Sequence, residues 1–206
     1  MGSKGDIIYY ELLDSQVLYN LLKTFHDETG LIINMFDIHG SYHKFYFPDP
    51  RPYCEFVNSI NLGKLACDST EAKMCKEAAS SKKTVLFLCP AGLVDIATPV
   101  FVQGIHIGNL FTGQFRATNY TENTFKIFLR NFSDKSRKEL LKEYYYSTMV
   151  FTHKEIDAVK NSLNFIKNFI SNYGENFIYD NKNDFKEMDI VSKAKKYIRE
   201  QYQNSD

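Results

Sequence analysis

Apolar residues recur with helical spacing near both ends of the chain. The first run predicts a helix over residues 12–28, which Gly30 is placed to end because glycine enters the left-handed conformation cheaply. Its apolar stripe consists of Leu13, Val17, Leu21 and Phe25. The strongest pattern predicts a helix over residues 152–173, which Thr152 and Glu155 open with the spacing of a capping box.

Weaker helical patterns lie between these two segments. They predict short helices over residues 53–60, 69–81, 121–132 and 136–146. Gly63 is expected to close the first of them. The helix over 69–81 is expected to begin at a capping box formed by Asp68 and Glu71.

Short runs of β-branched and aromatic residues predict five strands, over residues 31–38, 41–47, 84–89, 93–102 and 105–115. His39-Gly40 is expected to join the first two strands, and Gln103-Gly104 the last two, because a two-residue hairpin turn requires positive φ. Two strands followed by three, with helices between them, is the layout of a PAS/GAF-like domain. We therefore predict an α+β fold whose five-stranded antiparallel sheet and flanking helices enclose a ligand cavity.

Composition narrows the class of protein. The 206 residues include 25 Lys plus Arg and 25 Asp plus Glu, so the formal net charge is zero, which argues against binding a phosphate backbone through a basic face. Apolar residues make up 44% of the chain, which excludes a disordered protein. No window approaches 18 consecutive apolar residues, so no membrane span is predicted and the expected localisation is cytoplasmic.

The domain organisation follows from these patterns. Residues 1–5 resemble an expression leader, and residues 6–174 are expected to form one domain. The polar residues 175–188 are interpreted as a linker. An amphipathic pattern over residues 189–206 predicts either a signalling helix or the start of an output domain.

The four cysteines leave three interpretations open. Cys54, Cys67, Cys75 and Cys89 are widely spaced and form no Cys-x-x-Cys pair, which lowers a structural zinc interpretation. They are buried structural thiols, thiols that contact a ligand or respond to redox state, or ligands of a metal or iron–sulfur cluster. Cys67 directly precedes the predicted 69–81 helix, whose dipole would favour a thiolate there. No cofactor is predicted.

No catalytic constellation is apparent from the spacing, so the chain is not predicted to be an enzyme. A cysteine nucleophile needs a nearby histidine, and nothing local pairs a cysteine with any of His26, His39, His43, His106 and His153. A phosphate-cradling glycine loop before a helix is also missing from the sequence, which leaves nucleotide binding unsupported.

Two polar residues stand out in the apolar segment over residues 89–115. Asp95 lies in one predicted strand and Gln114 near the end of the next. Because burying such groups is costly unless they have partners, two explanations remain open. Either they lie on an exposed face or in a structural hydrogen bond, or they are polar contacts inside an apolar pocket.

These residues also resemble the PocR family of sensory domains. The resemblance is carried by Tyr53-Cys54, by Cys67-Asp68-Ser69, by the block Cys89-x-Ala91-Gly92-Leu93-x-Asp95, by Pro99-Val100, and by Gly104, Gly108 and Gly113-Gln114. It spans residues 12–115, and the helices to residue 173 complete the domain. Pro90 is a departure, because many members carry histidine there. The resemblance implies a PAS-like module that binds a small metabolite and controls an output domain, as in AraC-type transcription regulators and sensor kinases.

The resemblance also implies a site and partners. A short diol such as 1,3-propanediol or glycerol is the expected ligand, with Asp95 and Gln114 bonding its hydroxyls. The expected walls and backbone donors are Cys89, Cys54, the Tyr42 and Phe45 region, Gly92 and Leu93. The 152–173 helix is expected to carry the signal, and its apolar stripe, which is wider than packing on one sheet demands, predicts a homodimer. The tail over residues 190–202 is similar to the opening helix of an AraC-type DNA-binding domain, so DNA is expected to be contacted only by an output domain absent from this chain.

Overall fold

The computed structural model describes residues 4–38, 42–43, 51–118 and 121–182, with residues 42–43 and 61–62 described by their backbone alone. Its elements, in chain order, are α1 (Lys4–Leu13), α2 (Gln16–Thr29), β1 (Ile33–Phe36), β2 (Tyr42–His43), α3 (Pro52–Asn58), α4 (Asn61–Ser81), β3 (Val85–Leu88), β4 (Val94–Val102), β5 (Ile105–Ala117), α5 (Glu122–Leu129), α6 (Lys135–Ser147), β6 (Val150–Phe151) and α7 (His153–Asp180).

Five strands form an antiparallel sheet in the order β2-β1-β5-β4-β3, and the short β6 pairs in parallel with the end of β5. Gln103 and Gly104 both have positive φ, of 49° and 80°, as a two-residue hairpin turn requires. The predicted α+β fold, a PAS/GAF-like antiparallel sheet with flanking helices, is confirmed. β6 was not predicted, because two residues are too few to show a strand pattern.

The sheet separates two layers of helices. Strand residues alternate between its faces, so Val94 and Ile96 of β4 point to one side while Asp95 and Ala97 point to the other. The first face packs against α1, α2 and α7 in one continuous apolar core. The second face is covered by α3 and α4, with α5 and α6 beside them. The polar residues singled out in the sequence therefore lie on the second face.

The first predicted helix is two helices. α2 begins after Ser15, whose side chain accepts a hydrogen bond from the Leu18 backbone N–H. α2 ends at Gly30, as predicted, with φ of 69°. α1 was not predicted as an element of its own, and it begins at Lys4, so residues 4 and 5 of the predicted leader are helical.

The start predicted for α4 is wrong. The helix begins at Asn61, so Asp68 and Cys67 lie within it rather than at its N-terminus. Gly63 does not close a helix either. A Cβ atom on Gly63 would lie 2.4 Å from the carbonyl oxygen of Val57, so glycine is needed there because α3 and α4 approach closely.

The longest helix is confirmed together with its capping box. The Thr152 side chain accepts from the Glu155 N–H, and the Glu155 carboxylate accepts from the Thr152 N–H. α7 continues to Asp180, so the first residues of the predicted linker are helical. A Cβ atom on Gly174 would lie 2.8 Å from the Val102 side chain, which shows that this glycine allows close packing rather than ending the helix.

The tail predicted over residues 189–206 lies outside the described residues. Within the described part of the chain, no helix combines the length and the apolar character that crossing a membrane demands.

Candidate ligand-binding site

A β-bulge brings the two predicted polar residues together. Val94 pairs with Phe115 and Asp95 pairs with Gly113, so Gln114 is the extra residue on β5. Gln114 has a φ of 66°, and its N–H donates to the Asp95 Oδ1 at 3.1 Å. A Cβ atom on Gly113, where φ is 142°, would lie 2.5 Å from the Val94 carbonyl oxygen. Glycine is therefore required for this bulge to form.

Arg51 completes the polar cluster, and the sequence reasoning missed it. Its Nη1 donates to the Oε1 of Gln114. Arg51 directly precedes α3, whose first residue is Pro52. Arg51 lies near the end of a proline-rich run, and this position is the sequence signal that could have identified it. Its long cationic side chain is held there beside the sheet.

The turn between β3 and β4 carries the thiol and backbone of the predicted site. The Cys89 N–H donates to the Leu93 carbonyl at 2.7 Å, and the Leu93 N–H donates to the Cys89 Sγ at 3.2 Å. Gly92 has a φ of 89°, and a Cβ there would lie 2.7 Å from the Phe125 nitrogen. Gly92 thus shapes this turn and packs against α5.

Two buried tyrosines contact the backbone of the same turn through their hydroxyl groups. The Tyr53 hydroxyl donates to the Ala91 carbonyl, and the Tyr145 hydroxyl lies within hydrogen-bond distance of the Gly92 carbonyl (3.4 Å) and of Thr121 Oγ1 (3.1 Å). Both rings are buried. The turn is therefore fixed by groups from α3 and α6 before any ligand binds.

These elements enclose a cleft that we call the inner chamber. Its empty volume is about 440 Å³ when solvent at its mouth is included, and the enclosed part holds roughly two water molecules. Five of the predicted site residues line it: Cys54, Cys89, Leu93, Asp95 and Gln114. The structure thus brings together most of the predicted site. Tyr42 is described by its backbone alone and Phe45 lies outside the described residues, so their roles stay predictions.

A second cleft, which we call the outer chamber, adjoins the first. It has an empty volume of about 720 Å³ including open solvent, and it is lined by residues that include Asn34, Phe36, Arg51 and Phe111. Asn58, Glu71 and Gln114 line both chambers. The sequence reasoning missed the outer chamber, although Asn34 interrupts an apolar strand in the way that Asp95 does.

Burial dominates the electrostatics of the two carboxyl groups. It raises the pKa of Asp95 well above its ordinary value, and the nearby Glu71 raises it further, while the Gln114 N–H and Arg51 act in the opposite direction. Burial, followed by the charge of Asp68, raises the pKa of Glu71 to about 7. Both shifts favour the protonated, neutral form of the acid.

The cysteines are neutral thiols. Burial raises the pKa of Cys67 to about 11 and raises the pKa values of Cys54 and Cys89 as well. The expected thiolate at Cys67 is therefore wrong, since that residue lies inside α4. These three thiols line the inner chamber, whereas Cys75 packs in the apolar cluster under α4.

A metal site is not formed by the described side chains. Among them, no group of three or more His, Cys, Asp and Glu side chains is arranged so that it could hold a metal ion. The thiols of the inner chamber therefore stand near one another without forming a coordination sphere.

A PAS-like sheet whose covered face holds a cleft with a few polar groups is typical of sensory domains, a class of regulatory protein module. The model of the family described as "Sensory domain found in PocR" matches residues 11–175, so this chain belongs to the PocR sensory-domain family. The predicted resemblance is confirmed, and with it a sensing role in regulation.

One curated relative is the regulatory protein PocR of Salmonella typhimurium. It is 26% identical over 134 residues, which cover 64% of this chain and 43% of the relative. The chain thus matches less than half the length of that regulator. Comparison with solved structures finds no significant match. The similarity of the tail to an AraC-type domain stays a prediction.

Proposed function

We propose that this domain senses a small polar metabolite for a transcription regulator, and that a short diol such as 1,3-propanediol or glycerol binds in the inner chamber. The observation that supports the proposal is the bulge, which brings Asp95 and Gln114 side by side in the lining of a thiol-lined cleft. The small enclosed volume favours a ligand of a few heavy atoms.

The protonation of Asp95 favours hydroxyl groups as partners. One carboxyl oxygen already accepts from the Gln114 N–H. A neutral carboxyl offers both a donor and an acceptor to a ligand, and a hydroxyl has the same two functions. A neutral hydrogen bond of this kind contributes about 0.5–1.5 kcal/mol, or a two- to tenfold change in affinity. This is less than a charge-assisted bond to an ionised carboxylate would contribute.

Isothermal titration calorimetry with 1,3-propanediol and glycerol tests this site. Asp95→Ala, which removes both hydrogen-bonding functions of the carboxyl group, and Gln114→Asn are expected to weaken binding about two- to tenfold. Asparagine is chosen at position 114 because it tolerates positive φ. Thr98→Val is the matched control, since Thr98 is a buried residue of β4 that bonds to Thr84 rather than lining the chamber. Unchanged affinity in both site variants would overturn the assignment of these residues.

We also propose that the signal leaves through α7. β6, which directly precedes this helix, is tied to the end of β5, because the Arg116 N–H donates to Met149 O at 2.8 Å and the Thr118 N–H to Phe151 O at 3.1 Å. Gln114 lies on the same strand, two residues before Arg116. A ligand that favours one position of the strand end would therefore favour one position of α7.

A homodimer through α7 is part of the same proposal. The exposed aromatic side chains of this helix are Phe165, Phe169, Tyr173 and Tyr179, and the first of them is 67% exposed. Exposed aromatic groups with few charges are typical of the centre of protein interfaces. Light scattering is expected to give twice the 24.0 kDa of one chain, and Phe165→Asp to give the monomer. Leu65→Asp, at an equally exposed position on α4, is the control, and a wild-type monomer would overturn the proposal.

We propose that DNA is bound by an output domain rather than by this chain, and that the protein acts in the cytoplasm. The balanced charge supports the first statement, since a neutral chain lacks the excess of cations that phosphate binding needs. A gel-shift assay with this chain alone and random duplex DNA is expected to show no binding at physiological salt.

A thiol-based metal or iron–sulfur sensor is the second candidate function. The observation in its favour is that Cys54, Cys67 and Cys89 line the same chamber. Their raised pKa values oppose it, because metals bind thiolates. Elemental analysis and an absorption spectrum of anaerobically purified protein decide between the two: stoichiometric metal, lost in Cys89→Ser, would favour this function over diol sensing.

A further inference from the structure

We infer that the outer chamber is the second half of the ligand site, and that it recognises a hydroxyl group at the far end of a neutral polyol longer than three carbons. This inference rests on the proposed function, because it extends the ligand that Asp95 and Gln114 would hold. It assigns a separate role to Asn34 and Glu71, which lie away from the bulge on β1 and α4.

The first observation is an acceptor without a donor. Asn34 lies between Ile33 and Met35, which point into the apolar core, so its own side chain lies on the cleft face of β1. Its Oδ1 atom is buried, and none of the described residues donates a hydrogen bond to it. A buried acceptor in this state is unfavourable unless a donor reaches it, and a ligand hydroxyl in the outer chamber would supply one.

The second observation is that Glu71 offers hydrogen-bonding capacity to the same space. Its carboxyl group lines both chambers, and within the described residues no side chain or backbone group is hydrogen-bonded to it. Burial keeps this acid near its neutral form at physiological pH. Asn34 and Glu71 therefore provide two polar groups on opposite walls, one on the sheet and one on the helix, that the protein itself leaves to a ligand.

The third observation concerns the path between the chambers. Gln114 lines both of them, so a molecule bonded to Asp95 in the inner chamber continues past the Gln114 side chain into the outer one. Phe87 lines the inner chamber, Phe36 and Phe111 line the outer one, and the ring centroids are 5.8 Å apart for Phe87–Phe111 and 5.2 Å for Phe36–Phe111. A row of rings of this kind suits a carbon chain with polar groups at its two ends.

The charges of the outer chamber favour a neutral ligand. Its lining contains two cationic residues, Arg51 and Lys64, and two acidic ones, Asp68 and Glu71. Lys64 and Asp68 form an ion pair at 2.7 Å, and Arg51 donates to Gln114. The lining therefore balances two cationic residues against two acidic ones, and this balance favours a neutral ligand over an anion or a cation. Hydroxyl groups are the complementary chemistry.

Calorimetry with a series of probes tests the inference: 1,3-propanediol and glycerol as short ligands, and xylitol as a five-carbon polyol. The wild-type protein is expected to bind xylitol at least tenfold more tightly than 1,3-propanediol. Asn34→Leu is expected to weaken xylitol binding about two- to tenfold and to leave 1,3-propanediol unchanged, because Asn34 lines the outer chamber and not the inner one. Glu71→Leu, which removes both hydrogen-bonding functions of the acid, is expected to weaken xylitol binding by a similar factor. Asp95→Ala is expected to weaken the binding of both probes, and Asn131→Leu, at an exposed position, that of neither.

A measurement without ligand makes the role of Asn34 independently testable. Because Asn34→Leu removes a buried acceptor that has no donor, it is expected to raise the Tm of the free protein by about 2–4 °C. A fall in Tm, or equal affinity for xylitol in the variant and the wild type, would overturn the inference. If 1,3-propanediol binds and xylitol binds no better, the inference alone is wrong. If neither probe binds, the proposed function is wrong and the inference fails with it.

Discussion

The two faces of the sheet are built from the same strands but differ in how they are packed. On the face covered by α1, α2 and α7, buried apolar side chains form one continuous core. On the face covered by α3 and α4, the apolar packing is divided into smaller clusters, with two chambers between them. The buried acid of β4 lies on this second face, as does the β1 amide whose oxygen has no partner among the described residues. The comparison shows that one face of the sheet forms the main apolar core, whereas the other holds the chambers that we propose for ligand recognition.

The alternation of side chains along a strand explains how the two faces can differ. Because consecutive residues point to opposite faces, a strand such as β4 supplies Val94 and Ile96 to the core while Asp95, between them, faces the cleft. The bulge at Gln114 restores the alternation on β5 after inserting one extra residue, so that Phe115 returns to the core. A single strand therefore contributes apolar side chains to the core and polar side chains to the cleft.

The largest expected effect compares the same substitution on the two faces. Leu163→Ala, in the core between α7 and the sheet, is expected to destabilise the fold by about 2–5 kcal/mol. Leu93→Ala is expected to cost less, because Leu93 already borders an open chamber and so loses fewer packing contacts. Urea unfolding of the two variants measures the difference. Equal losses would contradict the view that the cleft face is the less tightly packed one.

A smaller effect is expected from the bulge that shapes the cleft. Gly113→Ala forces a side chain into a strained backbone and against the Val94 carbonyl, which is expected to cost about 1–3 kcal/mol and to weaken diol binding. Gly104→Ala is the matched control, because Gly104 also has positive φ but has no atom within 4 Å of the added Cβ. Gly104→Ala is expected to leave diol affinity unchanged. The same loss of affinity in both variants would show that the bulge has no special role.

The smallest expected effect is a pH dependence confined to the cleft face. The pKa of Glu71 is raised from its ordinary 4.5 to about 7, so between these values the folded state holds a proton that the unfolded state releases. The stability from this proton is complete below pH 4.5 and is lost as the pH rises through about 7. Glu71→Gln lacks this loss, so its Tm relative to wild type is expected to rise by about 2–4 °C between pH 4.5 and 8.

Thermal unfolding followed by circular dichroism across that pH range provides the measurement. Glu139→Gln is the control, because Glu139 is an exposed residue of α6 whose partner is a surface lysine. The Tm of this control relative to wild type is expected to stay constant. A constant difference for Glu71→Gln as well would contradict the burial of its carboxyl group.

Local signals predicted much of the fold correctly. The capping box at Thr152 and the Gln103-Gly104 turn each depend on a few neighbouring residues, and both are confirmed. Gly63 was misjudged. It was interpreted as the end of a helix, whereas it lies, like Gly174, within a helix that packs closely against another element. The close approach of two elements is a property of the tertiary structure. The local sequence around these glycines therefore does not distinguish close packing from helix termination.

Part of the candidate site was also predictable from the sequence. Asp95 and Gln114 stood out because polar residues in apolar strands need a reason, and the structure places both beside the inner chamber. Glu71 was missed because it was assigned to a helix cap, and Arg51 because its segment matches no helix or strand pattern. Their contribution depends on how α3 and α4 lie over the sheet, which the pattern of either segment alone does not contain.

The connection between β5 and β6 has a consequence for how such domains diversify. Two backbone hydrogen bonds make this connection, from the Arg116 N–H to Met149 O and from the Thr118 N–H to Phe151 O. The Arg116 and Thr118 side chains reinforce it with further bonds to backbone carbonyls of the same segment. On the proposal that the cleft binds the ligand and α7 carries the signal, the two backbone bonds would remain in place when side chains of either part change. The same scaffold could then pair a different ligand with the same output helix.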